Sequence, residues 1–288
     1  MDKFRNKLSL LFTIIMVCCL VCAIFLMARR YLEYRHTQDL VESLRPSAVT
    51  DEGSAAMADM PESSSALAGE DVSGTEAAPA AEPDKVPVPN PYADSFLANE
   101  DMAAWLTIPG TNIDYPVMWT PRDENYYLYR GFDGKDNKNG CLILDTDSSL
   151  DPLTTNLIIH GHNMRSGAMF GNLTDYENED FYREHKTITL YTKECQRNYE
   201  VIAVFRSQVY KKTDQVFKFY KFFQADTQEE FDDFYQNIKA LSQYDTGVTA
   251  EFGDRFLTLS TCVYHVEQGR FVVVAKEVEE GDYYQPVE

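Results

Sequence analysis

The chain has 288 residues and a formal net charge of −20. That balance excludes a nucleic-acid binder, which needs a basic face. The length allows one substantial domain with appendages, and 18 Tyr and 17 Phe supply surface for a sizeable core. The acidity serves solubility first; its sharper reading is attraction of a cationic substrate such as an amine. Of the six cysteines, Cys18, Cys19 and Cys22 fall in an apolar N-terminal run, where a thiol behaves as a small hydrophobe. The remaining Cys141, Cys195 and Cys262 are odd in number, so at least one is unpaired in the globular part unless it bonds to another chain. They are too few for a disulfide framework.

Residues 1–7 are a short basic lead, and residues 8–28 form the first element, with no charge from 8 to 27. A helix of about twenty residues at ~1.5 Å each spans a ~30 Å hydrocarbon layer. Lys3, Arg5 and Lys7 precede it and Arg29, Arg30 and Arg35 follow it, so flanking charge does not orient it. A cleaved signal peptide would have a shorter apolar region and a small-residue cleavage site; Met27-Ala-Arg-Arg-Tyr stands there instead. The expectation is an uncleaved anchor embedded in a lipid bilayer. Residues 29–91 follow as a juxtamembrane segment and tether. Between Asp51 and Lys85 there are nine acids and one base, a composition that favours disorder, and the Pro-rich residues 87–91 favour extended backbone.

The folded domain is expected over residues 92–288. Residues 92–104 have helical spacing; 105–109, 112–118, 140–145, 156–160, 187–191 and 199–205 read as short strands between turn-rich loops, the pattern of a barrel or sandwich. One helix interrupts them at 227–242. Thr227-Gln-Glu-Glu230 is a capping box, and Phe231, Phe234, Tyr235, Ile238 and Leu241 make one apolar stripe. Two further strands, 255–262 and 269–276, are joined by a short polar connection. No internal repeat occurs.

The chemistry gathers at that last pair. Alternation from Phe256 puts Leu257, Leu259 and Thr261 on one face and Thr258, Ser260 and Cys262 on the other, more polar face. Arg270 opens the returning strand, which a hairpin-like return brings near the thiol. His160 and His162 stand together at the end of the 156–160 strand. A nucleophilic thiol needs a partner that favours thiolate, a donor for the oxyanion and a proton for the leaving group. His162 can serve the proton steps, and Arg270, always charged, the oxyanion. The alternatives differ in kind. His160-x-His162 with Cys262 or His265 is a possible zinc set, but there is no His-Glu-x-x-His and no Cys-x-x-Cys. A papain-like enzyme places cysteine before histidine, the reverse of the order here. His185 and His265 read as surface or loop histidines, and Cys141 and Cys195 as packing residues.

Thr258-Leu-Ser-Thr-Cys262 followed by Arg270-Phe-Val-Val-Val-Ala-Lys276 resembles the active-site signature of the sortases. Gly161-His-Asn-Met-Arg-Ser-Gly-Ala-Met-Phe170 resembles their histidine motif in its class B form. Trp105-Leu-Thr-Ile-Pro-Gly-Thr-Asn-Ile-Asp-Tyr-Pro-Val117 resembles the class B domain entry, and the 227–242 helix sits where that class inserts one. The resemblance covers about residues 92–278. It implies a mainly β fold: a closed eight-stranded barrel with an N-terminal helix and an inserted helix before the cysteine strand, outside a Gram-positive membrane with the N-terminus inside. It implies cysteine transpeptidation without metal or cofactor. Cys262 would attack the threonine carbonyl of a sorting-signal peptide in a secreted protein, His162 would protonate the departing amine, and Arg270 would hold the oxyanion. An amine nucleophile, on peptidoglycan precursor or a pilin lysine, would resolve the thioester. Ser260 and Thr261 match positions beside the substrate groove. His160 stands where the class often has Tyr, and Val263 cannot supply a polar substrate contact. Two other readings compete: an L,D-transpeptidase-like wall enzyme, whose glycine before the cysteine is here Thr261, and a membrane-tethered binding module with an inert cysteine, in which Cys262, His162 and Arg270 would not cluster.

Overall fold

A computed structural model describes residues 2–46, 86–263 and 266–287. Most of the acidic segment expected to be disordered, and His265, lie outside the described residues. Eight strands are present: β1 (Met102–Thr107), β2 (Asp114–Met118), β3 (Leu142–Leu144), β4 (Asn156–Gly161), β5 (Thr187–Tyr191), β6 (Cys195–Gln208), β7 (Phe256–Cys262) and β8 (Gly269–Tyr283). They close into a barrel in the order β1-β2-β3-β4-β7-β8-β6-β5. The β2/β3 and β4/β7 joints are parallel and the others antiparallel. This is the expected fold class.

Side-chain alternation builds the barrel interior. Leu157, Ile159, Leu257, Leu259, Phe271 and Val273 point inward in one cluster with Trp105. The Trp105 ring is fully buried, and its Nε1 donates to Asp114 Oδ1 at 2.6 Å, so its one polar atom is satisfied. A second core lies outside the wall. The helix α4 (Gln228–Leu241; the fourth helix in the chain) lays Phe231, Phe234 and Ile238 against Phe256, Val272 and Val274. Each buried phenyl contributes roughly 1.5–3 kcal/mol. The capping box forms as read: Thr227 Oγ1 accepts from the Glu230 amide, and Glu230 Oε2 from the Thr227 amide. Strands β7 and β8 are thus covered on both faces, which explains the continuous apolar run Phe271–Ala275 of β8.

Three local expectations change. The helical pattern over 92–104 yields only α2 (Ala93–Ala98), and β1 begins at Met102. Asn99 ends the helix. Its Oδ1 accepts from the Asp101 amide and its Nδ2 donates to Tyr127 Oη and the Phe132 carbonyl. The alanines beyond are then drawn into pairing with β2, since tertiary context overrides helix propensity. Strands β6 and β8 run longer than their apolar stretches because they pair from Cys195↔Tyr283 to Gln208↔Gly269. The short helix α3 (Glu179–Glu184), capped by Asn178, had no clear apolar period to announce it.

The helix α1 (Asp2–Leu44) includes residues 8–28, the segment read as an anchor, and continues past it. Its apolar stretch from Leu11 onward is exposed, and α1 is the one helix among the described residues long and apolar enough to cross a membrane. Its end packs on the barrel. Thr37 and Val41 are buried. Thr37 Oγ1 accepts from Asn137 Nδ2 at 2.9 Å and Asn139 Nδ2 at 3.1 Å. Ser95 Oγ donates to the Leu44 carbonyl, and Arg45 pairs with Asp114 at 2.9 Å. The docking stripe of Thr37 and Val41, one turn apart, is hidden among charged residues, so it does not stand out in the sequence.

Candidate active site

The register assembles the site. Parallel pairing of β4 with β7 sets His160 beside Ser260 and Gly161 beside Thr261, and antiparallel pairing of β7 with β8 sets Cys262 opposite Arg270. His160, Ser260 and Cys262 therefore share the outer face of the barrel wall. There they line a groove of about 470 Å³ together with His162 and Arg270. One wall is the 3₁₀ turn Tyr126–Tyr129; the other is the 3₁₀ turn Phe219–Lys221. Strand β7 is buried from Phe256 to Thr261 and emerges only at Cys262, the exposure a reactive thiol needs. Asn163 Nδ2 donates to the Cys262 carbonyl at 3.0 Å and fixes the strand end.

His162 donates from Nε2 to the Leu128 carbonyl at 2.8 Å. A carbonyl only accepts, so this nitrogen carries the hydrogen and Nδ1 remains for chemistry. The Tyr129 ring lies 5.3 Å from the imidazole. Two glycines make this placement possible. A Cβ on Gly161 would stand 2.6 Å from both Leu142 Cδ2 and Phe170 Cδ2. Gly140, at φ +62°, would bring a Cβ to 2.3 Å from the same Leu128 carbonyl. Gly161→Ala is expected to cost roughly 1–3 kcal/mol by overpacking, and to lower activity further by displacing His162. Thermal unfolding and peptide turnover, measured side by side, separate the two effects; an alanine variant with parental Tm and turnover contradicts the packing.

Arg270 donates from Nη1 to the Gln268 and Gly269 carbonyls at 3.3 and 3.1 Å, which ties the guanidinium to the turn that precedes it. Gln268 adopts φ 57° there. Ser260 is buried, and its hydroxyl has no protein partner among the described residues. Thr261 differs. It shares the inward face with Leu259, and its Oγ1 donates to the Gly161 carbonyl at 2.7 Å. Its hydroxyl is spent on joining β4 to β7, whereas that of Ser260 is buried without a partner among the described residues.

The two neighbouring histidines diverge. His160 donates from Nε2 to Asp145 Oδ2 at 3.1 Å, while His162 turns to Leu128. Among the described residues no group of three or more His, Cys, Asp or Glu side chains is placed to hold a metal ion. Burial would raise the Asp145 carboxyl, but the His160 hydrogen bond, the Asp147 amide and the nearby Lys221 charge together hold it below its ordinary range. Asp145 is the groove residue that sequence reasoning missed. It lay at the end of an expected strand with no motif around it. Cys141 also lines the groove, but burial pushes its thiol up to about 12, which keeps it protonated. His185 donates from Nδ1 to the Pro109 carbonyl at 2.8 Å, and its ring lies 4.3 Å from that of Phe181; its part is structural.

The Sortase domain family matches residues 106–278. The chain is 34% identical over 182 residues to Sortase B of Listeria monocytogenes, covering 62% of this chain and 71% of that protein. It is 30% identical over 183 residues to Sortase B of Staphylococcus aureus, covering 62% and 70%. Among solved structures, Clostridium perfringens sortase B superposes with a TM-score of 0.58 at 29% identity, over 65% of this chain and 98% of that one. The Staphylococcus aureus sortase B–substrate complex gives 0.59 at 27% identity, over 67% and 87%. Their barrel is the one found here, and the groove brings Cys262, His162 and Arg270 together as a non-catalytic module would not. The chain belongs to the sortase family of cysteine transpeptidases, as a class B sortase.

Proposed function

We propose that this sortase cleaves a C-terminal sorting signal of exported proteins after threonine and transfers the acyl group to an amine of the cell wall or of a pilin. The observation that carries the reading is the direct pairing of Cys262 with Arg270 at the mouth of a groove that also holds His162. The Cys262 thiolate attacks the threonine carbonyl, Arg270 balances the developing oxyanion, and His162 protonates the departing amine at its groove-facing nitrogen. Ser260, with its unspent hydroxyl, binds the peptide backbone or side chain along the groove; Thr261 supports it from below. Related sortase B structures are described as a substrate complex and as a complex with triglycine, which favours a peptide acyl donor and a glycine amine acceptor. The apolar first half of α1 anchors the enzyme in the bilayer, N-terminus inside, and the docked residues 37–45 hold the barrel close to it.

The test is incubation of the full chain in detergent with a library of threonine-containing peptides, with and without triglycine, read by mass spectrometry. The expected result is a covalent adduct on Cys262 with an acyl mass ending at threonine, converted by triglycine to a ligated peptide. Cleavage of no peptide, or cleavage without an adduct on Cys262, overturns the reading.

A further inference from the structure

The Asp145–His160 pair lies in the groove and takes no part in the reaction so far described. It has the form of a catalytic base: an imidazole whose Nε2 hydrogen is held by a carboxylate at 3.1 Å, leaving Nδ1 free to take a proton. The imidazole is partly exposed while Asp145 sits behind it, mostly buried. The register fixes its distance from the thiol. His160 lies one strand over and two residues back from Cys262, on the same face, which puts their Cβ atoms about 8 Å apart. An amine poised about 3 Å from a thioester carbonyl on Cys262 falls within that span.

The second half of the proposed reaction calls for such a group. Aliphatic amines are largely protonated near neutrality, with ordinary pKa values of about 8–10. An ammonium that becomes an amide N–H must shed two protons, one before attack and one after. His162, having given its proton to the first leaving group, takes back one. The other needs a second acceptor. Glu124, Asp145 and Asp147 on the same groove favour a cation there, against the opposing charges of Lys221 and Arg270.

We propose that His160, oriented by Asp145, is the general base that deprotonates the incoming ammonium in the second half-reaction; this rests on the transpeptidase reading above. The steps balance. His160 Nδ1 takes one proton from the ammonium. The freed nitrogen lone pair forms the C–N bond, the C–S bond breaks, and Cys262 leaves as thiolate. The second nitrogen proton passes to His162, restoring the imidazolium that began the cycle, and His160 returns its proton to water.

The test measures partition of the thioester between amide and hydrolysis products, using the full chain in detergent, one cleavable peptide, and triglycine or hydroxylamine as acceptor. In His160→Phe and His160→Gln the amide-to-acid ratio with triglycine is expected to fall by roughly 10²-fold, in the range of general-base effects; Asp145→Asn gives a smaller fall. Hydroxylamine, which arrives without a proton to lose first, is expected to restore the ratio in both His160 variants, a rescue that a merely structural role would not give. His160→Gln keeps a donor for Asp145, so it guards against misfolding. A parental ratio with triglycine, or no recovery with hydroxylamine, overturns the proposal. Absence of cleavage by the parent chain overturns the transpeptidase reading instead.

Discussion

Cys262→Ala is expected to remove peptide cleavage to the limit of detection, a fall on the order of 10⁴-fold or more, since loss of a nucleophile removes the covalent path outright. The structure makes this a clean experiment. Cys262 is the exposed last residue of β7, beyond the doubly covered stretch 256–261. Truncating its side chain leaves no interior cavity, and surface substitutions of this kind change stability by within about 0.5 kcal/mol. Its backbone carbonyl, bound by Asn163, is untouched. An inactive variant with the parental Tm therefore reports on chemistry. Retained turnover would mean that another group attacks the peptide, and the buried, protonated Cys141 is a poor candidate for it.

Arg270→Lys is expected to lose roughly 10²–10³-fold in kcat with a smaller change in KM, the range found when one oxyanion donor is removed. Charge is conserved, so the loss isolates geometry. The arginine uses Nη1 to bond the Gln268 and Gly269 carbonyls and still has other N–H groups in a rigid fork for the groove. A lysine has one nitrogen to serve both ends. Steady-state kinetics on a cleaved peptide decide it: parental kcat in the lysine variant would reduce Arg270 to a source of positive potential.

The parts of the molecule carried by local pattern were legible in the sequence. The capping box and apolar stripe marked α4, and two β-branched runs with a short connection marked β7 and β8 and hence the Cys262–Arg270 pairing. Alternation correctly put the thiol on the face opposite Leu257 and Leu259. It did not reveal that this polar-looking face is itself buried at Thr258 and Ser260, because its cover comes from the distant 209–255 connection. Thr258 is accommodated there by donating to Asn156 Oδ1 at 2.9 Å. Asp145 was invisible for a related reason: its meaning lies in the β3/β4 pairing that brings it to His160, 15 positions away. The docking of α1 rests on its last two turns, where Thr37, Leu40, Val41 and Leu44 meet the barrel among charged neighbours, too short a stretch to stand out as a period.

The connection between β6 and β7 builds the outer core with α4 and also supplies the groove wall of Phe219, Tyr220 and Lys221. It is stitched to the edge of β4, where Asn156 Nδ2 donates to the Phe222 carbonyl and the Ala225 amide donates to Thr155 Oγ1. Peptide preference and thermal robustness are consequently written in the same stretch of chain. An engineer grafting this connection from a relative would transplant both properties at once, and a selection that drifts toward a new signal through this wall must re-seat the phenylalanine cluster behind it. The opposite wall, Tyr126–Tyr129, carries a different burden: Tyr127 is buried in the inner core and the Leu128 carbonyl holds His162, which leaves the exposed Tyr126 and Tyr129 side chains as the places where retargeting is easier to begin.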